Sequence, residues 1–583
     1  MSDEEDTTVL LSGKNEDREK ASAALAVQQP VNITGADVTH VAFRSDISLL
    51  LTSFVAVFGG LAFGYDMGIG TNIISQIKDT YELTCLEQYM VSSTWFFGAI
   101  IASFVGGIVI DGCGRKWTIC CTAGLMMLGS VFSALASSFP LFLCGRLVGG
   151  FSGALSAVTQ CIYAAEVSEP HLRGRAVLLH QLGVATGLLL SSIACIGDDT
   201  QWRMMIWLSA VPAVMQGLVT LIFLPYSPHF KLLQMSQNLQ TKQSTSCSAL
   251  GNVVETLLLA FGLVFLQQFS GRPVVLYYAP RVFLLVGVCP DTAFTVAAIV
   301  LNIIKVGSVS LSLCVVDKIG RRLSLIVGAT CMMTSIALLG LISAMEESEV
   351  DLVLSPSLDP CGSIKVGELV PVLPSGGGFH YATGAGMSSP LLPTGVPPPF
   401  PLLPTPVSLV ADDTYAGASP LCSVPVNTAV SPSLRYLALF AVICYEIAYS
   451  FGLGPLTWLL LTEIFPASVK GRAVSLTTSL HWFADLIIPV TSTYFISTVT
   501  IGGVFFSHSL VCLNAIFFIF LLIPETKGES LHQIVQGLKI RSSKTRMYQN
   551  LQGLPCLTKN AWLQQKARQY RQVSHATVES TVI

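Results

Sequence analysis

The sequence predicts an all-α polytopic membrane protein with twelve transmembrane helices in two related six-helix bundles. Of its 583 residues, 52% are hydrophobic and only 11% are charged, and the mean hydropathy is +0.64. This composition excludes an ordinary water-soluble protein of that length. A charged motif also occurs twice, because Asp111-Gly-Cys-Gly-Arg-Lys116 returns as Asp317-Lys-Ile-Gly-Arg-Arg322. Together, the apolar composition and the internal repeat indicate a duplicated membrane unit.

Twelve segments are long and apolar enough to cross a bilayer. A helix needs about 20 apolar residues to cross roughly 30 Å of hydrocarbon, where it must satisfy its own backbone hydrogen bonds. We predict these helices at 48–69, 89–110, 117–137, 140–162, 176–196, 204–224, 253–280, 291–314, 323–344, 434–460, 473–497 and 502–523.

A second repeated motif locates an insertion in the second unit. Glu166 with Arg173-Gly-Arg175 returns as Glu463 with Lys470-Gly-Arg472. The first motif recurs after 206 residues and the second after 297 residues, a difference of 91 residues. The additional chain therefore lies between the second copies of the two motifs, where the Pro- and Gly-rich tract 346–432 is found.

Basic residues define the orientation and the domains. The following fall on one side in this arrangement, which the positive-inside rule makes cytosolic together with both termini: Lys14, Arg18, Lys20, Arg115, Lys116, Arg173, Arg175, Arg321, Arg322, Lys470 and Arg472. The predicted divisions are an amino tail (1–47), a first bundle (48–225), a short central loop (226–252), a second bundle (253–528) with the outer loop 346–432, and a carboxyl tail (529–583).

The amino tail and the outer loop carry two further candidate features. Asp6, Leu10 and Leu11 fit the acidic dileucine pattern that clathrin adaptors read, although such short patterns also arise by chance in disordered tails. Cys361 and Cys422 lie in the outer loop, where oxidation is possible, so we predict a disulfide between them. We find no Cys/His cluster with metal spacing and expect no metal and no cofactor.

The motifs resemble those of the sugar porter family of the major facilitator superfamily. The resemblance is carried by Gly145-Arg146, Trp202-Arg203, Gln267-Gln268-x-x-Gly271, Gly452-x-Gly454-Pro455-x-x-Trp458 and Pro524-Glu-Thr-Lys-Gly528. The insertion, Ser450 and Lys305 narrow it to the class III facilitative glucose transporters, which include types 10 and 12. The resemblance implies the major facilitator fold and transport of a monosaccharide by alternating access.

The resemblance also implies a sugar site. Sugar hydroxyls are donors and acceptors at once, so amide side chains beside an aromatic ring suit them. Gln181, Gln267, Gln268 and Trp458 match the family's sugar-contacting positions. The alternative role of a glutamine in a membrane helix is to hold helices together by hydrogen bonds between them.

Several positions depart from the family pattern. Arg272 follows Gly271 where an asparagine is expected nearby, and Trp482 and Asp485 replace asparagines of the eleventh helix. Because a lone charge in the membrane costs about 2.5 to 3.5 kcal/mol or more, we expect Asp485 to pair with Lys305, with Glu446 as a competing partner. This ionic character favours an oxidised or acidic sugar derivative over plain glucose.

The paired charged motifs predict a cytosolic gate. Its predicted members are Asp111, Arg115, Glu166, Arg173, Asp317, Arg321, Glu463 and Arg472. Ion pairs among them would hold the two halves together while the cavity opens outward. A single exposed pair contributes about 0 to 1 kcal/mol, but several together can bias a two-state equilibrium. Alternatively, these charges only fix the topology.

Asp66 and Arg146 are candidates for proton coupling. Asp66 stands where proton-coupled members of the family carry a carboxylate. It lies about 18 residues into the first helix and Arg146 about 7 into the oppositely directed fourth, so a rise of about 1.5 Å per residue brings both to similar depth. A permanent structural ion pair is the alternative.

The functions that remain are a hexose carrier, facilitative or proton-coupled, with dehydroascorbate as a further substrate; a proton-coupled polyol or inositol carrier; and a sugar sensor that hardly transports. Partners would be a monosaccharide, protons and the lipid bilayer, with no nucleic acid. We expect the protein to reside in the plasma membrane or in endosomal or perinuclear membranes. No nucleotide-binding loop or nucleophile triad appears, so we predict that the chain is not an enzyme.

Overall fold

The computed structural model describes residues 35–196, 202–225, 247–288, 290–346 and 431–540. All regular secondary structure in these ranges is helical. The dileucine residues Asp6, Leu10 and Leu11 and the disulfide candidates Cys361 and Cys422 lie outside the described residues.

The described residues of the first half form seven helices, six of them long enough to span a bilayer. They are α1 (Gly35–Asn72), α2 (Ile74–Tyr81), α3 (Cys85–Cys113), α4 (Arg115–Ala134), α5 (Phe139–Val167), α6 (Arg173–Ala194) and α7 (Trp202–Phe223).

In the second half, the residues that the structure describes form nine helices. They are α8 (Cys247–Gln268), α9 (Arg272–Leu285), α10 (Pro290–Ile319), α11 (Arg321–Glu346), α12 (Pro432–Phe451), α13 (Leu453–Ile464), α14 (Lys470–Val499), α15 (Ile501–Leu522) and α16 (Leu531–Ile540).

Eleven helical segments of the described chain are both long and apolar enough to cross a membrane. Two of them combine neighbouring helices, Val253–Leu285 from α8 and α9 and Pro432–Ile464 from α12 and α13. The remaining predicted span, 473–497, lies within α14, a 30-residue helix that carries polar residues such as His481 and Asp485. It packs against α3 of the first half and α8 of the second.

Apolar side chains cover the outside of the bundle, as lipid contact requires. Large residues such as Phe104, Ile108 and Leu258 are 61%, 65% and 67% exposed. Small and hydroxyl residues fill the interior, where they let helix backbones approach closely.

Helices α1 and α6 approach each other closely through facing glycines. A Cβ added at Gly64 would lie 2.2 Å from the carbonyl oxygen of Val184, and one at Gly183 would lie 2.2 Å from that of Val57. The two backbones therefore touch, and no larger residue fits between them.

The seventh predicted span, 253–280, is not one continuous helix. It breaks between α8 and α9, where Gly271 has a φ of +102° and Pro273 lies in the first turn of the new helix. The hydroxyl of Tyr445 donates to the carbonyl of Ser270 at 3.2 Å, and Nδ1 of His508 lies 2.9 Å from that of Phe269. Side chains thus replace the lost backbone bonds, as irregular backbone within a membrane requires.

The tenth predicted span, 434–460, also breaks, at Gly452 between α12 and α13. The carbonyl of Phe451 has no N–H partner one turn later because that residue is Pro455. Ser312 of α10 donates its hydroxyl to this carbonyl at 2.9 Å instead. Both breaks leave backbone groups near the centre of the bundle.

Candidate functional site

A cavity of about 780 Å³ lies between the two halves. Helices α1, α5 and α6 line it from the first half, and α8, α9, α10, α12, α13 and α14 line it from the second. Six of the seven predicted substrate-binding residues line this cavity: Gln181, Gln267, Lys305, Trp458, Trp482 and Asp485.

Gln268, the seventh residue predicted to contact the substrate, is not among the residues that line the cavity. Gln268 lies behind the cavity wall and is 4% exposed. Its Nε2 donates to the Asp485 carboxylate at 2.6 Å and to the carbonyl of His481 at 3.0 Å. Because Gln267 and Gln268 are adjacent on a helix, they point about 100° apart, and only Gln267 reaches the cavity. Gln268 therefore positions Asp485.

The second helix break positions Gln267. Its Nε2 donates to the carbonyls of Leu453 and Gly454 at 3.1 and 3.0 Å. These carbonyls belong to the first turn of α13, immediately after the break. The broken helix therefore fixes an amide at the cavity wall.

Aromatic rings form one wall of the cavity. The rings of Trp458 and Trp482 lie 6.2 Å apart, and Trp482 is also 6.0 Å from Phe63 and 5.7 Å from Trp95. Trp482 is 1% exposed, whereas Trp458 is 7% exposed. The cluster joins the two halves and presents the apolar surface on which a sugar ring can stack.

The predicted ion pair between Asp485 and Lys305 is not formed. The structure gives Asp485 two other partners, Gln268 at 2.6 Å and His481 at 3.5 Å. Glu446, the competing candidate, accepts from the Ser450 hydroxyl at 2.9 Å. Both carboxylates find their partners one helical turn away or on an adjacent helix, which costs less rearrangement than reaching across the cavity.

Asp66 and Arg146 form a buried ion pair, which confirms their predicted contact. Arg146 Nη1 lies 3.0 Å from Asp66 Oδ1, and its Nη2 donates to the Asp66 carbonyl at 3.1 Å. The indole N–H of Trp95 donates to Asp66 Oδ2 at 2.7 Å. Gly70 leaves room for the guanidinium, because a Cβ there would lie 2.2 Å from Arg146 Nη2.

At one end of the bundle lie the predicted gate residues, and we call this the charged end. Each half repeats the same buried arrangement there. Arg115 lies 3.0 Å from Glu166 in the first half, and Arg321 lies 3.4 Å from Glu463 in the second. All four side chains are at most 1% exposed. The duplicated motifs of the sequence therefore fold into duplicated ion pairs.

Further ion pairs join the two halves across the charged end. Arg173 lies 3.8 Å from Glu463, Arg175 lies 3.5 Å from Asp317, and Arg472 lies 3.9 Å from Asp111. The contacts predicted for the gate are thus present.

The two aspartates of these motifs also cap helices of the opposite half. Asp317 accepts from the backbone N–H of Arg175 at 3.2 Å, near the start of α6. Asp111 accepts from that of Arg472 at 3.2 Å, near the start of α14. A carboxylate is stabilised at a helix N-terminus by unpaired N–H groups and the helix dipole. Each half thus caps a helix of the other half, and these two symmetric contacts close the charged end.

The cavity extends in the other direction. Its lining includes Asn72 at the end of α1, Cys195 just after α6 and Phe294 near the start of α10. Each of these residues lies at the end of its helix that is remote from the charged end. The cavity is therefore closed at the charged end and extends toward the opposite end of the bundle.

Sequence reasoning missed three polar residues around the cavity. Trp95 binds Asp66, His180 lies 3.1 Å from Gln160 through Nδ1, and Asn302 donates to Ser192 at 3.1 Å across the two halves. Asn302 could have been found, since it precedes Lys305 by one helical turn. Trp95 carries no local signal of this kind.

Comparisons with known proteins agree with this geometry. The family model "Sugar (and other) transporter" matches residues 52–248, 233–355 and 415–538. Solute carrier family 2, facilitated glucose transporter member 10 of Xenopus laevis is 32% identical over 541 residues, covering 86% of this chain and 94% of that protein. Member 12 of Mus musculus is 30% identical over 535 residues, covering 83% and 84%.

Solved structures share the fold. The proton:xylose symporter XylE bound to 6-bromo-6-deoxy-D-glucose superposes with a TM-score of 0.60 at 21% identity, covering 84% of this chain and 99% of that one. The human organic anion transporter MFSD10 has a TM-score of 0.51 at 12% identity, covering 82% and 99%. These likenesses confirm the predicted major facilitator fold.

Proposed function

This chain belongs to the sugar transporter family, a family of membrane transporters and not of enzymes, and on that basis we propose that it carries hexose-like monosaccharides by alternating access. The observation that carries the proposal is the central cavity, which combines amides with the neighbouring indole rings of Trp458 and Trp482 and is sealed at the charged end. In alternating access, the two halves rock around a fixed central site.

The cavity chemistry suits a sugar. Gln181 of the first half and Gln267 of the second line it together with Trp458. An amide offers both a donor and an acceptor to a hydroxyl, and an indole offers a flat apolar face to the ring. Because the amides come from both halves, a bound sugar would bridge the two bundles and favour their closure.

Replacing Gln181 tests the proposed site. We expect Gln181→Ala to weaken glucose binding about tenfold, since one lost hydrogen bond to a neutral group is worth about 0.5 to 1.5 kcal/mol. The measurement is counterflow of labelled glucose by the purified protein in liposomes. Gln536→Ala, an exposed glutamine of α16, is the matched control.

Counterflow also separates a carrier from a sensor. Only a carrier exchanges labelled glucose for unlabelled sugar across the bilayer. Binding without exchange in the unsubstituted protein would contradict the transport proposal, and normal exchange by Gln181→Ala would contradict the role of that residue.

Proton coupling is proposed for the buried pair of Asp66 and Arg146. The pair lies in the first half, beside the cavity-lining residues Met67 and Gly68. Arg146 comes from α5, and Trp95, the other partner, comes from α3. A rearrangement within the first half that separated α1 from α5 during transport would remove the guanidinium from Asp66 and let the carboxylate take up a proton.

Asp66→Asn is expected to abolish the pH dependence of uptake. In the unsubstituted protein, uptake should increase as the external pH falls from 7.5 to 5.5, because protonation accompanies the transport movement. Asparagine cannot titrate, so the uptake rate of the variant should be flat across this range. Uptake of labelled glucose at several external pH values measures this. If the variant keeps the original pH profile, Asp66 is a structural residue and does not couple uptake to protons.

The proposed orientation places the charged end in the cytosol, since basic residues concentrate there. Both termini would then be cytosolic. We further propose residence in the plasma membrane or in endosomal or perinuclear membranes, with sorting by clathrin adaptors through Asp6, Leu10 and Leu11.

A further inference from the structure

Two basic side chains line the cavity without a carboxylate partner. Arg272 and Lys305 face it from α9 and α10, and neither has an acidic oxygen within 4.0 Å among the residues that the structure describes. The Arg272 guanidinium lies 5.0 Å from the ring centre of Tyr449, and its Nε is buried without a hydrogen-bond partner. A buried charge without an ionic partner is costly within a membrane protein.

Each acidic residue of the same cavity accepts a hydrogen bond from a neighbouring side chain, and Oε2 of Glu446 is buried without such a partner. Asp485 accepts a short bond from Gln268 and faces His481, and Glu446 accepts from Ser450. The cavity thus contains two carboxylates and two basic side chains that attract one another without reaching ion-pair distance. An anionic group of a ligand is a partner that would contact both basic side chains directly.

The helix break also brings the amino end of a helix to this side of the cavity. Arg272 is the first residue of α9, a 14-residue helix that begins beside the cavity. The amino end of a helix carries a partial positive charge. Arginine also binds carboxylates through two parallel N–H groups, a geometry that lysine does not provide.

We propose that the cavity binds monosaccharides that bear a carboxylate, as hexuronates do. Arg272 and Lys305 hold the carboxylate, while Gln181, Gln267 and Trp458 hold the ring. This inference rests on the proposed sugar transport and names the substrate class of the same site.

The test compares glucuronate, glucose and glucosamine as ligands of the full-length purified protein. Binding is measured by ligand-induced thermal stabilisation, and transport by counterflow of each labelled sugar in liposomes. We expect glucuronate to bind at least tenfold more tightly than glucose, and glucosamine to bind no better than glucose.

Variants locate the carboxylate site. Arg272→Gln and Lys305→Gln should each weaken glucuronate binding at least tenfold and weaken glucose binding much less, so that the preference for glucuronate over glucose falls at least threefold. Arg281→Gln is the matched control, because Arg281 belongs to the same helix, packs on Tyr277 and Tyr278, and does not line the cavity. If a glutamine variant does not fold, Arg272→Lys or Lys305→Arg tests the same contact.

The outcomes separate this inference from the proposed function. Exchange of glucose with no preference for glucuronate, or a preference for glucosamine, overturns the inference and leaves sugar transport intact. Exchange of none of the three overturns both. An equal loss of glucose binding and glucuronate binding in Arg272→Gln and Lys305→Gln, but not in Arg281→Gln, also overturns the inference. The two basic residues would then stabilise the cavity and would not bind a carboxylate.

Discussion

Replacing Glu463 by glutamine is expected to open the charged end and to lower sugar uptake more than tenfold. Glu463 is fully buried and contacts Arg321 at 3.4 Å, Arg173 at 3.8 Å and the Thr526 hydroxyl at 2.6 Å. Removing one partner of a buried ion pair typically costs about 3 to 5 kcal/mol, because the remaining charge is left buried. Arg173 belongs to the first half, so much of this cost weakens the closed arrangement relative to the open one.

A cysteine introduced at a buried position can report the opening of the charged end. Ser475 lies in α14, between the two halves, and is 2% exposed. A Cβ added at Gly106 of α3 would lie close to the Ser475 hydroxyl, and only the side chain of Leu155 would be closer. Alkylation of Ser475→Cys should be slow alone and much faster when combined with Glu463→Gln.

The control for the glutamate substitution is Glu169→Gln. Glu169 lies at the same end and pairs with His171, but both side chains are more than 60% exposed. Exposed pairs contribute little to stability. Similar alkylation rates in both glutamine variants would show that Glu463 does not hold the charged end closed.

Gly183→Leu is expected to prevent assembly of the first bundle. A Cβ at this position lies 2.2 Å from the Val57 carbonyl and 3.0 Å from the Leu61 amide, both of them backbone atoms of α1. Backbone cannot move aside as a side chain can, so α1 and α6 must separate. Overpacking in a core costs about 1 to 3 kcal/mol or more, and separated helices also lose contacts around Gln181 and His180.

The measurement is the yield of monodisperse protein after detergent extraction, together with its melting temperature. Gly124→Leu is the matched control, because a Cβ at Gly124 of α4 meets nothing within 4 Å. We expect the control to retain the original melting temperature. If Gly183→Leu melts at the same temperature as Gly124→Leu, the close approach of α1 and α6 does not stabilise the fold.

The repeats and the membrane spans were predictable because their causes are local. Hydropathy over about 20 residues predicts a span, and a charged motif that recurs indicates a recurring structure. The contact between Asp66 and Arg146 was predictable for a similar reason, since the rise per residue of a helix is constant and depth can be counted.

The interior contacts were less predictable because they depend on rotation about helix axes. Counting depth cannot tell that Gln268 turns toward Asp485 while Gln267 turns toward the cavity. Nor does hydropathy detect the unwound turn at Gly271, although Gly271 and Pro273 were visible as a signal. The ionic prediction for Asp485 failed because its local partners were not considered.

The roles of Asp111 and Asp317 illustrate the same division. Their places in the repeated motifs indicated a gate, and the structure adds that each carboxylate accepts from the first turn of a helix in the other half. That exchange requires the two halves to be docked. It follows from their relative placement and not from either motif alone.

A disulfide across the charged end tests most directly whether the two halves must separate there for transport. A Cβ at Gly471 would lie 2.7 Å from the Asp111 side-chain carboxyl carbon, so Asp111→Cys with Gly471→Cys places two thiols within bonding reach. We predict that oxidation of the double variant abolishes counterflow of labelled glucose, that binding from the opposite end persists, and that a reductant restores exchange. Each single variant serves as the control. Undiminished exchange by the cross-linked protein would contradict alternating access through this cavity.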